Sequence, residues 1–222
     1  MAKRHGGLDR ETILEASLEI LDERGLDGFT LRALGERLGY STMATYRHFA
    51  NKEEIVDALA DRLLDEIRVD DPDDDSDPDD LIIDYTLRAR QILLEHPALV
   101  PVIAARPLAS TERSDDMVRL FLVFGAAGFP APMIPESVLT LMSVTVGLIL
   151  YEQQRAMYEA RQADRYRAAR TELLAEMVDR AEAPDAAQNL VNMMMTGEWG
   201  AKVFESTVRH CYRGLKSDAG IE

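Results

Sequence analysis

The chain has 222 residues, 46% hydrophobic but only 6% aromatic, a balance that suits a Leu-, Ala- and Met-packed helical protein better than an aromatic-rich β-sandwich. A single cysteine, Cys211, excludes an internal disulfide and a cysteine-cluster zinc site, and the opening MAKRHGG lacks the apolar stretch of a secretory leader, so a cytoplasmic protein is expected. The net charge of −15 argues against nucleic acid only until its distribution is read: residues 1–52 carry eight Lys/Arg and eight Asp/Glu, and the whole acid excess lies downstream.

From Arg10 to Arg24, Ile13, Leu14, Leu18, Ile20 and Leu21 recur at helical spacing opposite Glu11, Glu15, Glu19 and Asp22. Gly25 stands where a left-handed residue ends a helix. Thr30 stands where a side-chain oxygen caps the next, with Leu31, Leu34 and Leu38 inward. Gly39 breaks that helix, Ser41 is placed to cap again, and TMATYRHF gives barely two turns before Ala50 and Asn51. Asn51 and Glu54 have the spacing of a capping box and open an amphipathic helix through Ile55, Leu59, Leu63, Leu64 and Ile67.

Eight aspartates between Asp70 and Asp80, with Pro72 and Pro78 among them, read as a solvated linker; their spacing is not that of an EF-hand loop. The expected division is therefore a reader at 1–69, a linker at 70–80 and a second helical domain at 81–222. Helices are expected over roughly 80–95, 97–106, 113–128, 134–162, 164–182 and 186–215, punctuated by prolines, and none alternates like a strand. Ser137–Tyr151 is apolar almost all round and should be buried against several neighbours. In the last segment Leu190, Met193, Met194, Val203, Phe204, Val208 and Leu215 are placed to meet a partner. The apolar run 120–134 is interrupted by Gly125, Gly128, Pro130 and Pro132 and is shorter than the roughly 20 residues of a membrane span, so no membrane partner is expected.

Two short helices joined by a Gly-containing turn, the second polar, cationic and aromatic outside, are what a helix-turn-helix requires. A major groove about 12 Å wide admits one helix, which must offer compact or polar residues to base edges while its flanks donate to phosphates. Thr42, Met43 and Ala44 are compact enough to approach bases; Tyr46, Arg47 and His48 follow within a turn; Ser41 and Lys52 bracket the phosphate contacts, and Phe49 pins the helix to the core.

The stretch GFTLRALGERLGYSTMATYRHFANKEEIVDAL resembles the DNA-binding domain of the tetracycline-repressor family of bacterial regulators, from about Arg10 to Leu64. The resemblance rests on Thr30-Leu31-Arg32, the Leu38-Gly39 turn, the Tyr46-x-His48-Phe49 end of the recognition helix and Asn51-Lys52. It implies an all-α fold in which Thr30, Arg32, Ser41, Thr42, Met43, Ala44, Tyr46, Arg47, His48 and Lys52 form the DNA-binding set. The turn lacks the common Gly or Pro at Met43 or Ala44, so base preference does not carry over.

Weaker echoes of the tetracycline-repressor type extend over most of the remainder: Ala105-Arg106-Pro107 is similar to an Arg-Pro step ending a helix, Gly147–Glu152 to a ligand-facing helix, and Phe204–Leu215 to a closing helix of a dimer bundle. They imply a homodimer, double-stranded operator DNA and a small-molecule effector as partners. The family's namesake holds a magnesium–drug chelate through a histidine shortly before the Arg-Pro step. Val102-Ile103-Ala104-Ala105 offers neither histidine nor carboxylate there, so neither metal nor cofactor is expected. The expected lining is Leu99, Ile103, Met117, Phe121, Met142 and Ile149, with Arg106, Glu152 and Gln154 as polar anchors. Two rival readings remain at this point: control by protein partners alone, and an all-α enzyme. The second has little to stand on, since His5, His48, His96 and His210 form no metal spacing and neither a GxSxG elbow nor a phosphate loop is present, so no catalytic residue is expected.

Overall fold

The computed structural model describes residues 8–70, 76–106, 114–161, 172, 176, 178–180, 184–196 and 199–221. Among these the chain is helical throughout, with no strand. The helix expected over 164–182 lies almost wholly outside the described residues.

α1 (Arg10–Gly28) starts where the Asp9 carboxylate accepts from the Thr12 N–H at 2.8 Å, and it kinks at Gly25, whose φ of 69° is the left-handed value that glycine tolerates without strain. α2 (Leu31–Leu38) is capped by Thr30, whose hydroxyl accepts from Ala33 N–H at 3.1 Å, and it ends at Gly39 with φ 72°. α3 (Thr42–Thr45) is a single α-helical turn prolonged by the turn at Tyr46–His48. α4 (Lys52–Ile67) opens on Asn51, whose side chain accepts from Glu54 N–H at 2.7 Å, while the Glu54 carboxylate reaches back to Ala50 N–H at 2.6 Å. α5 (Pro78–Glu95) and the short α6 (Val100–Ala104) follow.

The chain forms two compact units, residues 1–123 and 124–222, a division that falls within α7 (Ser114–Ala126) and not at the acidic segment. α4 packs on both α5 and α6, which ties the helices after the aspartates to the amino-terminal ones. The first unit is closed by Ile13, Ile20, Leu21, Phe29, Leu34, Phe49, Ile55, Leu59 and Leu99. Each large side chain removed from water here contributes on the order of 1.5–3 kcal/mol.

The second unit is built on α8 (Ile134–Arg161), α9 (Pro184–Thr196) and α10 (Trp199–Asp218). Of the helix expected over 186–215, the described residues are helical over Pro184–Thr196 and Trp199–Asp218. α10 lies against α8, and Phe124, Phe129 and Tyr212 stack at one end with centroids 5.1–6.1 Å apart. On α8 a single stripe is buried: Ser137, Val138, Leu141, Thr145, Ile149 and Gln153. Its opposite face, Leu139, Ser143, Gly147 and Tyr151, is exposed, so the helix is not buried all round as its composition suggested. By length and composition only, α8 is long and apolar enough to cross a membrane.

Candidate nucleic-acid interface

The turn between α2 and α3 is tightened by one carbonyl. Gly35 O accepts from both Gly39 N–H (2.9 Å) and Tyr40 N–H (3.1 Å), and the backbone folds back so closely that a Cβ on Gly35 would stand 2.8 Å from Tyr40 O. Gly35 thus fixes the approach of the two helices, a role its place inside an amphipathic helix did not announce. Ser41 does not cap α3 with its side chain, contrary to expectation. The turn is held by backbone bonds: Ser41 O accepts from Ala44 N–H, and Thr42 O from Tyr46 N–H.

One side of α3 is sunk. Thr45 and Phe49 are buried, and Thr45 Oγ1 has no hydrogen-bond partner. The other side is open: Met43 is 69% exposed, Tyr46 is 49% exposed, and Arg47 is exposed beside them. Thr42, Ala44 and His48 are half-buried at the edges of this face, and Ser41 is exposed. The spacing of Met43, Tyr46 and Arg47, three and four residues apart, places all three on one side of a helical turn.

The supporting charges come from α1, α2 and α4. The Arg10 guanidinium lies 4.1 Å above the Phe49 ring, donates to the His48 carbonyl at 3.3 Å and approaches Glu54 at 3.7 Å, clamping the end of the reader. Sequence reasoning missed Arg10, because 38 residues separate it from the carbonyl it holds. Arg32 is spread on the surface and pairs with Glu36 at 2.9 Å, a contact weak enough to exchange for a phosphate or base. Lys52 is partly committed: its ammonium donates to Leu26 O at 2.7 Å and lies 5.6 Å from the Phe29 centroid, leaving two of its three protons for a phosphate. Thr30 spends its hydroxyl oxygen on the α2 cap. Arg37 joins α2 to α1 through Glu19 (3.0 Å) and Glu23, and its hydrogen bond holds the Glu23 carboxyl below the ordinary value.

The residues expected around an effector differ in burial and in their partners. Leu99 is fully buried in the core under α1 and α4, with Ile103 packed against the same cluster, so Leu99 is a core side chain. Arg106 turns to α4: it donates to Asp57 Oδ1 (2.8 Å), to the Asp57 carbonyl (2.9 Å) and to Asp61. Burial works against its charge, but the bonds to the two aspartates outweigh burial and hold the guanidinium above its ordinary value. Met117 and Phe121 on α7 are half-buried. On α8, Met142 and Glu152 are half-buried and Ile149 is fully buried, while Gln154 is exposed and Gln153 occupies the sunken stripe. Among the described residues no group of three or more His, Cys, Asp or Glu is arranged to hold a metal ion. His96 instead sets its Nδ1 3.0 Å from the Asp22 carboxylate, joining the end of α5 to α1.

Residues 13–59 match the family model of bacterial regulatory proteins of the tetR family, and residues 72–218 match the tetracyclin repressor-like C-terminal domain. The tetracycline repressor protein class A from transposon 1721 of Escherichia coli is 36% identical over 66% of this chain and 68% of its own. Among solved structures, the Streptomyces coelicolor TetR family protein ActR in complex with actinorhodin superposes with a TM-score of 0.72 over 99% of both chains at 22% identity. TetR from Acinetobacter baumannii AYE does so with a TM-score of 0.72 over 96% of this chain and 98% of its own, at 25% identity.

Proposed function

This chain belongs to the tetR family of bacterial regulatory proteins, and from that premise we propose a repressor that binds a palindromic operator as a homodimer and leaves it when a small organic effector binds. It is a DNA-binding transcriptional regulator and not an enzyme. The observation that carries the DNA reading is the two-sidedness of α3: Thr45 and Phe49 anchor it from below, while Met43, Tyr46 and Arg47 stand open on the other side. Arg32 flanks that face, Thr42, Ala44 and His48 border it, and Ser41 and Lys52 bracket it for phosphates. Residues 1–69 act as the reader and 81–222 as the effector and dimerisation part, working in the bacterial cytoplasm where the operator is.

The effector is an apolar or amphipathic organic molecule bound without metal. Support comes from the aliphatic run before Arg106 and from ActR, whose structure was solved with actinorhodin. An effector shifts the dimer away from the operator only by binding that state more tightly. Ile103, Met117 and Phe121 of the first unit, and Met142, Ile149, Glu152 and Gln154 of the second, remain proposed contacts, each set taken within its own unit, with methionine giving adaptability. Leu99 and Arg106 leave the set: the first is core, and the second is engaged by Asp57 and Asp61. The apolar surface of α8 is read as covered by a second subunit and not by lipid.

The test begins with DNA selected from a random pool by the purified protein, followed by footprinting. A palindromic footprint, lost in a Tyr46→Ala, Lys52→Ala double variant, is expected; full binding by that variant sinks the placement of the reader. Lipophilic and polycyclic aromatic compounds that raise the melting temperature are then tested for release of the operator in excess EDTA. Release abolished by EDTA and restored by magnesium refutes metal-free binding.

A further inference from the structure

Met43 is the most accessible large apolar side chain that the described residues present, 69% exposed on a surface whose other functional groups are polar or charged. Its neighbours Thr42 and Ala44 are short and half-buried, so the methionine projects beyond them. Nothing in the chain's own packing calls for an apolar residue there: the anchoring of α3 is done from the other side by Thr45 and Phe49. Resting on the reading of α3 as the recognition helix, we propose that Met43 is a specificity-determining residue, one that reads the C5-methyl of a thymine in each operator half-site.

The chemistry of the groove leaves little choice. A thioether is a weak acceptor and donates nothing, so it satisfies neither the N7 and O6 acceptors of guanine nor the amino donors of adenine and cytosine. Pressed against those edges, Met43 would strip water from base groups and give back no hydrogen bond, which is unfavourable. The thymine methyl is the one apolar group that an unmodified base pair presents in the major groove. A flexible, polarizable side chain of this length can follow that methyl without demanding a single rotamer. Since the position holds neither of the family's common small or rigid residues, this preference belongs to this chain.

The experiment takes the operator selected by the full-length protein and replaces each thymine of one half-site in turn by uracil, which removes the methyl and leaves pairing intact. Binding is read by fluorescence anisotropy at fixed salt. One thymine is expected at which uracil weakens the wild type about fourfold, the worth of one buried methyl-sized group, while Met43→Ala binds the thymine and uracil operators equally and melts at the wild-type temperature. A selected operator with no methyl-sensitive thymine overturns the assignment, as does a Met43→Ala variant that keeps the full uracil penalty. Failure to select any DNA overturns the recognition-helix reading itself, a different result from selected DNA that ignores the methyl.

Discussion

Arg106 is the point at which a helix beyond the acidic segment grips the helix that follows the reader, and its removal has a calculable cost. Arg106→Ala deletes three donor contacts to α4: two to Asp57 and one to Asp61. Charge-assisted bonds are worth roughly 1.5–3 kcal/mol when well shielded. Here the arginine side chain is 20% exposed but Asp57 and Asp61 are 62% and 46% exposed, so solvent takes much of that back and both carboxylates rehydrate once abandoned. The expected loss is about 1–2 kcal/mol in urea denaturation followed by far-UV circular dichroism. Arg106→Lys should recover little of it, because an ammonium cannot fork between two carboxylates and a carbonyl in the way a guanidinium does. A double-mutant cycle with Asp61→Ala should return a coupling of about 0.5–1 kcal/mol, and effector-driven release of DNA should become shallower because α4 no longer follows α6. Additive single effects, with coupling below about 0.3 kcal/mol and unchanged release, would refute the idea that Arg106 works through α4.

Thr45→Val removes a buried hydroxyl oxygen that has no partner; it should leave operator binding intact and raise stability by up to about 1 kcal/mol, and a clear fall in melting temperature would contradict this. Gly35→Ala pushes a methyl against the Tyr40 carbonyl, 2.8 Å away, and should cost about 1–3 kcal/mol as overpacking does while weakening DNA binding through a displaced turn; an unchanged affinity would show that the turn yields freely. Glu23, hydrogen-bonded by Arg37, titrates below its ordinary value of 4.5. A lowered folded-state value means that the α1–α2 link is present above the ordinary value and disappears as pH falls through the lowered one. Carboxyl NMR titration should show Glu23 returning to the ordinary range in Arg37→Met, and identical titrations in the two proteins would disprove the pairing.

What was legible in the sequence was local. Thr30, Gly39, Asn51 and Glu54 act within four residues of themselves, through a side-chain cap or a left-handed φ, so residue type and spacing suffice to place them. Phe49 was legible as an anchor because an aromatic closing a polar helix has few other uses. Ser41 shows the limit of such signals: the residue type was right, but backbone bonds hold the turn and its side chain makes no cap. Arg10 and Arg106 act on partners 38 and 45–49 residues away, and no periodicity encodes such distances. Leu99 obeys the same limit: an apolar residue announces burial but not its neighbours.

The same ambiguity governs the dimer. Phe204 and Val208 have the spacing of an interface stripe, yet they are 2% and 0% exposed within one chain. A glutamate at either position would bury a charge in the subunit's own core and unfold it, so loss of the dimer there would say nothing about pairing. Among the described residues an exposed face lies on α8, where Leu139, Ser143, Gly147 and Tyr151 follow one another at four-residue intervals. Gly147 is the telling member. A glycine inside an exposed helix costs roughly 0.5–1 kcal/mol against alanine, and nothing within 4 Å would obstruct a Cβ there, so a single subunit gains nothing from it. Close approach of a second backbone does gain from it. Gly147→Arg should therefore keep or raise the melting temperature of the subunit while converting the dimer to a monomer in light scattering. A variant that stays dimeric, with its helical signal unchanged, would place the interface on another face and end the case for pairing through α8.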